Sequence, residues 1–326
     1  MKYDTELNQK PNPRIFVVIP AYNVEGQIAR VIASIPMFIE KIVVVNDASQ
    51  DGTKNVLASL NDSRLLVVHH EHNMGVGGAT ITGYNLSVSL GAEILVKMDG
   101  DDQMEANRVI DLVKPIIDGK ADYTKGNRFI NQPQLAQMPF IRWIGNWGLT
   151  FLVKATSGYW QIFDPSNGFT ALHAKAYQRL NQEHIAIDYF FEISMLSELH
   201  LQNAVVKDIP IPARYQDEES FLSISKVFFS FPLRVLRAFF WRIHKQYYLY
   251  NFTYVSVAIL FGLLALAFGF SWEIWHWVGP IQTGIPATTG AVPIAVLPII
   301  IGTQLLLQAI SEDIRDIQTD PIHQIK

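Results

Sequence analysis

The chain has 326 residues, with 26 basic against 30 acidic side chains and no cysteine, so disulfides and thiolate metal sites are excluded. That length fits one catalytic domain of about 220 to 240 residues plus an appendage. The charge is uneven: up to Ser220 there are 19 basic and 25 acidic residues, but from Phe221 to Gln246 there are 5 basic and none acidic, and no broad basic surface points to nucleic acid.

After an N-terminal tail (1–13) come four β-branched runs of strand length, Ile15–Pro20, Lys41–Asp47, Arg64–His69 and Ala92–Lys97. Helix-like stretches over Val24–Ser34 and Gly78–Leu90 separate most of them, which predicts an α/β fold with a mostly parallel sheet. Ligands of such folds bind beyond the carboxyl ends of the strands. Tyr22, Asp47 and Asp99 each stand just past a strand's end, so they gather at one sheet edge. The glycine-rich run His72–Ala79 follows the third strand and continues into Thr80, which is the wrong place and spacing for a dinucleotide fingerprint. A tight, closely packed turn explains most of it.

The fourth strand leads into Asp99-Gly100-Asp101-Asp102-Gln103. Three carboxylates that close repel one another, so a cation is expected among them. Asp99, Asp101 and Gln103 alternate, and in extended backbone they would offer oxygen ligands to one side, as Mg²⁺ or Mn²⁺ prefers. A plain polar turn is the other reading of these residues alone.

Four motifs in order, Pro20-Ala21-Tyr22-Asn23 with Glu25, Asn46 to Thr53, Asn73 to Gly77, and Asp99 to Gln103, resemble those of the family-2 inverting glycosyltransferases. The branch they resemble is the dolichol-phosphate-mannose-synthase-like, polyprenyl-phosphate glycosyltransferases, over roughly residues 14 to 230. The resemblance implies a GT-A-type domain with helices flanking the sheet. It implies that Pro20, Tyr22, Glu25, Asp47, Asp99, Gly100 and Asp101 hold a nucleotide sugar, and that Asp99, Asp101 and Gln103 hold Mg²⁺ or Mn²⁺. Two departures touch the base pocket: Val24 intervenes before Glu25, and Asn46 stands where the family often has Asp. They leave UDP and GDP both open.

Further along lie Arg128, Arg142, the segment Asp164-Pro165-Ser166-Asn167-Gly168-Phe169, Arg214 and Lys226. Asp188 and Glu192, four apart, would share a helix face. By resemblance, Asp164, Gly168, Arg142 and Lys226 line the acceptor side, while Asp101, Asp188, Arg128 and Arg214 serve catalysis. If the acceptor is a polyprenyl phosphate, its oxygen is already ionised near neutral pH, and alignment and charge neutralisation matter more than a strong base.

Within the basic segment 221–246, Val227 to Arg242 mixes aromatic and basic residues on helix-like spacing, as in segments that lie in a membrane interface; a partner helix is the alternative ligand. Tyr247–Phe270 and Ala291–Ile310 are charge-free runs long enough to cross a bilayer. Between them are Trp272, Trp275 and Trp277 and no Lys or Arg. The expected plan is a catalytic domain over 14–220, a basic juxtamembrane segment over 221–246, a transmembrane hairpin over 247–310 and a tail over 311–326. The expected place is a bacterial or archaeal plasma membrane, with the catalytic domain and both termini cytoplasmic. The expected function is transfer of one sugar to a polyprenyl phosphate, for cell-envelope glycan or glycoprotein synthesis. A processive polysaccharide synthase would carry Q-x-x-R-W after the catalytic domain, whereas Gln137 and Arg142-Trp143 are five apart and too early. A non-catalytic membrane scaffold is the third reading, which the intact acidic triad opposes. Self-association into a homo-oligomer is left open.

Overall fold

The computed structural model describes residues 13–128, 150–165, 167–211, 224–283 and 288–324, with backbone alone at 224–230, 279–280 and 282–283. Its chain divides into two compact units, Met1–Phe239 with Gln318–Lys326, and Phe240–Ile317.

In the first unit β1 (Ile15–Ala21), β2 (Lys41–Asn46), β3 (Leu65–His69) and β4 (Ile94–Lys97) match the four expected runs. They join β5 (Tyr123–Asn127), β6 (Thr170–His173) and β7 (Val206–Pro210) in a sheet ordered β3-β2-β1-β4-β6-β5-β7. Only β6 runs antiparallel to its neighbours among these strands, so the mostly parallel sheet is as expected. The strands alternate between two cores. Val17, Ile19, Ile42 and Val44 pack with α1 (Ile28–Ser34), α2 (Thr53–Ser59) and α4 (Val109–Ile117). Phe16, Val18, Val43 and Val45 face α3 (Gly75–Ser89), α6 (Ala174–Arg179) and α7 (Phe191–Leu201) on the other side. Period-2 alternation thus feeds both faces of a buried sheet, and each large apolar side chain so placed contributes about 1.5–3 kcal/mol. Helical backbone over 150–157, here α5, precedes β6.

The helix expected from Val24 begins at Ile28, because Asn23 takes a left-handed φ of 54° and residues 24–27 turn first. Conversely α3 begins at Gly75, so the glycine run forms its first turn.

α8 (Ile224–His244) crosses the boundary between the units. The second unit pairs α9 (Tyr254–Thr283) with α10 (Ala291–Arg315), and each contains a stretch long and apolar enough to cross a membrane, Tyr254–Val278 and Ala291–Arg315. Small residues bring them close: a Cβ on Gly302 would lie 2.7 Å from Gly262 O, and one on Gly269 would lie 2.8 Å from Ala295 O. Phe261, Leu264, Phe268, Ile300 and Ile301 point outward, half or more exposed, which suits a hydrocarbon surround. Arg242, placed by its sequence among headgroup-facing residues, is instead fully buried and donates to both oxygens of Asp313 at 2.9 Å. A guanidinium this close to an apolar hairpin finds a carboxylate cheaper than hydrocarbon.

Candidate active site

The carboxyl ends of β1, β2 and β4 put Tyr22, Asp47 and Asp99 at one edge, and the loops there are stitched together. Asn23 N–H donates to Ser49 Oγ, Val24 N–H to Thr53 Oγ1, Glu25 N–H to Asp51 Oδ2, and Gly52 N–H back to Glu25 Oε2 at 2.9 Å. Glu25 therefore closes the rim with its own carboxylate, while Pro20 is half-buried and the Tyr22 ring stays 46% exposed. Asn46 uses both ends of its carboxamide, Nδ2 with His69 Nδ1 at 3.0 Å and Oδ1 accepting Ser49 N–H. Asp47 is buried and accepts Met74 N–H and Gly75 N–H at 2.8 Å, with His70 Nδ1 at 2.7 Å. In this geometry Asp47 anchors the glycine turn beneath the rim.

Past β4 the backbone is a turn, with Asp102 at φ 64° and paired with Arg30. The expectation that Asp99, Asp101 and Gln103 alternate along extended backbone is thus corrected: Asp101 Oδ1 accepts Gln103 N–H at 3.1 Å and folds the chain back. Gly100 is buried, and a Cβ added there would meet Val24, Ile19 and Ile28 at 3.4–3.5 Å. Asp99 Oδ1 accepts Lys97 Nζ at 2.6 Å. Its Oδ2 faces Gly168, where a Cβ would lie 2.7 Å away. Gly168 thus stands at the acidic turn, and its missing side chain keeps that oxygen open. Among the described residues no three His, Cys, Asp or Glu side chains gather as a metal cage. Two carboxylates and a carboxamide nevertheless fit a hard dication that keeps waters and takes diphosphate oxygens.

Lys97, 1% exposed, also reaches Glu192 Oε1 at 3.3 Å. Burial alone would push its ammonium down, but Asp99 and Glu192 outweigh that and raise it, so the lysine is a fixed cation. Lys125, buried on β5 with Thr170 of β6 between it and Lys97, donates to Asn167 O, and burial pushes it down to about 8 despite Glu192 and Asp164. Arg128 lies bidentate on the fully buried Asp164, Nε at 2.7 Å and Nη2 at 3.1 Å, so these two predicted residues meet.

Asp188 and Glu192 do not share a helix face. α7 starts at Phe191, and Asp188 precedes it, accepting Phe190 N–H at 3.1 Å. Glu192 turns to Lys97, whereas Asp188 meets Arg234 of α8 at 2.6 and 3.1 Å. Burial pushes the Asp188 carboxyl up, but Arg234 and the Phe190 amide outweigh it and hold it below the ordinary carboxylate range, a poor position for a base. Arg142 and Arg214 lie outside the described residues, and Lys226 lies on α8 where backbone alone is described.

Residues 16–180, half of the chain, match the sequence profile of the family described as Glycosyl transferase family 2. The chain belongs to that family. This glycosyltransferase is 32% identical over 184 residues to the UDP-N-acetylglucosamine–dolichyl-phosphate N-acetylglucosaminyltransferase of Methanococcus voltae, covering 52% of the chain and 73% of the relative. It is 26% identical to the polyprenol monophosphomannose synthase of Mycolicibacterium smegmatis, over 62% and 78% of the two chains. Its fold is that of glucosyl-3-phosphoglycerate synthase from Mycobacterium tuberculosis, solved with Mn²⁺, UDP and glucosyl-3-phosphoglycerate, at TM-score 0.52 and 19% identity over 71% and 80% of the chains.

The sequence alone assigns no site role in this glycosyltransferase to Lys97, Lys125 or Arg234, and it pairs Glu192 with Asp188 rather than with Lys97. Lys97 left one signal, a charge at the end of an apolar strand destined for the sheet's interior.

Proposed function

We propose that this glycosyltransferase moves one sugar from a UDP- or GDP-linked donor to a polyprenyl phosphate, with inversion, as an integral membrane protein whose catalytic unit and termini are cytoplasmic. The observation that carries the reading is the company the catalytic unit keeps: relatives named for dolichyl phosphate and for polyprenol monophosphomannose, and two span-length helices on the same chain. An acceptor phosphate oxygen attacks the anomeric carbon as the bond to the donor's diphosphate breaks, and the nucleoside diphosphate leaves with the electron pair. Asp99 and Asp101, with Gln103, would hold Mg²⁺ or Mn²⁺, which when bound offsets the charge leaving on the diphosphate. Lys97 fixes the Asp99 carboxylate, and Gly168 keeps its second oxygen accessible. The acceptor arrives ionised, so the lowered Asp188 has no proton to take.

The test is incubation of membranes holding the full chain with radiolabelled UDP- and GDP-sugars and undecaprenyl or dolichyl phosphate, followed by solvent extraction. One donor is expected to put label in the lipid phase only when lipid phosphate is added. Label in a water-soluble polymer would point to the synthase reading instead.

A further inference from the structure

Arg234 joins α8 to the loop before α7, and its backbone is held there. Val235 beside it is fully buried with Val153, Phe190 and Ile193, and Thr156 Oγ1 donates to Val235 O at 3.1 Å. The guanidinium lies 5.3 and 5.0 Å from the Tyr189 and Phe190 ring centroids while its fork engages both Asp188 oxygens. Side chains of Arg234 and Asp188 remain 37% and 42% exposed, in contrast to the fully buried Asp164 under Arg128. An ion pair so open to water contributes little net stability, so changing partners costs little. A fork that fits two carboxylate oxygens fits two phosphate oxygens equally well. The loop also touches the donor side: Gly78 N–H donates to Ile187 O at 2.9 Å, and the Ala186 and Ile187 carbonyls fill the space left by Gly77 and Gly75, in the turn that Asp47 anchors.

We propose that Arg234 binds the phosphate monoester of the lipid acceptor, and that Asp188 is the resident stand-in which the phosphate displaces. The proposal rests on the acceptor being a polyprenyl phosphate. A monoester carrying close to two charges outcompetes a single carboxylate for the fork. Anionic headgroups share the phosphate chemistry, and the test separates them.

The full chain in nanodiscs of phosphatidylcholine, with or without phosphatidylglycerol, is titrated with farnesyl phosphate, with farnesol and with UDP and GDP, and acceptor KM is measured with undecaprenyl phosphate. Arg234→Gln is expected to weaken farnesyl phosphate binding and raise acceptor KM about tenfold or more, with Arg234→Lys between it and wild type, and with farnesol and nucleotide affinity unchanged. Asp188→Asn is expected to tighten farnesyl phosphate about threefold, because it removes the competitor. Wild-type farnesyl phosphate affinity in Arg234→Gln overturns the proposal. So does a loss confined to discs with phosphatidylglycerol, or an Asp188→Asn variant weakened as much as Arg234→Gln, which marks a merely structural pair. A wild type that needs Arg234 to bind farnesyl phosphate yet transfers no sugar to any lipid phosphate supports the binding assignment while defeating the proposed function.

Discussion

A methyl group at Gly168 would sit 2.5 Å from Lys97 Nζ and 2.7 Å from Asp99 Oδ2. Gly168→Ala should therefore lower Mn²⁺ affinity about tenfold, by shifting Asp99 without removing any ligand. Isothermal titration with Mn²⁺ in the presence of nucleotide, alongside a melting curve that stays near wild type, checks this. Asp101→Ala should cost about 100-fold or more in initial rate, and Gln103→Ala distinctly less because it removes a neutral ligand. Full activity of the wild type in excess chelator, or full activity of Asp101→Ala, would end the metal assignment. As an oxygen-rich cluster after β4, Asp99, Asp101 and Gln103 were legible because the cluster is local in sequence, although their turn was read as extended backbone. Lys97, Glu192 and Arg234 were not, since their meaning comes from partners 95 and 46 residues away in the chain for Lys97–Glu192 and Asp188–Arg234.

Elements show the same division between local and distant causes. β1 to β4 announce themselves as β-branched runs, but β5 reads Tyr-Thr-Lys-Gly-Asn and is strand only because tertiary partners satisfy its buried polar groups, Thr124 on Leu112 O and Lys125 on Asn167 O. α7 could not be bounded from sequence because Asp188 bonds the Phe190 amide and Arg234 instead of joining the helix. In the second unit, Asp313 accepts from Arg242 and from Tyr247 Oη at 2.5 Å. Asp313→Ala takes the carboxylate from a buried guanidinium, leaving it the neutral Gln246 Oε1 at 2.7 Å, and should cost about 3–5 kcal/mol. A fall in the detergent-solubilised melting temperature is the measurement, and an unchanged one would show that the pair contributes nothing. Gly302→Leu should likewise part α9 from α10, since even a Cβ added there would lie 2.7 Å from Gly262 O and 2.9 Å from Leu266 Cγ. A cysteine pair across the helices should then crosslink less readily.

For the molecule as a whole, the chain's end returns to the catalytic unit. Ile322 N–H and His323 N–H donate to the fully buried Asp122, His323 Nδ1 lies 2.7 Å from it, and the His323 ring stacks on His173 at 4.2 Å. Burial, with the neighbouring His323 charge added, pushes His173 down to about 4. Its folded value lies below the ordinary one near 6.5, so its contribution to stability is complete above that pH and is lost as pH falls toward 4. Thermal unfolding measured across pH 4 to 7 should show this slope, and His173→Gln should flatten it. The central claim is that one sugar passes to one lipid phosphate. It is tested most directly by the mass of the extracted lipid product after exhaustive reaction with excess donor. The expected result is a mass increase of one sugar on the polyprenyl phosphate, reversed by mild acid and absent in chelator. A ladder of several sugars, or a sugar linkage that survives mild acid, would contradict it.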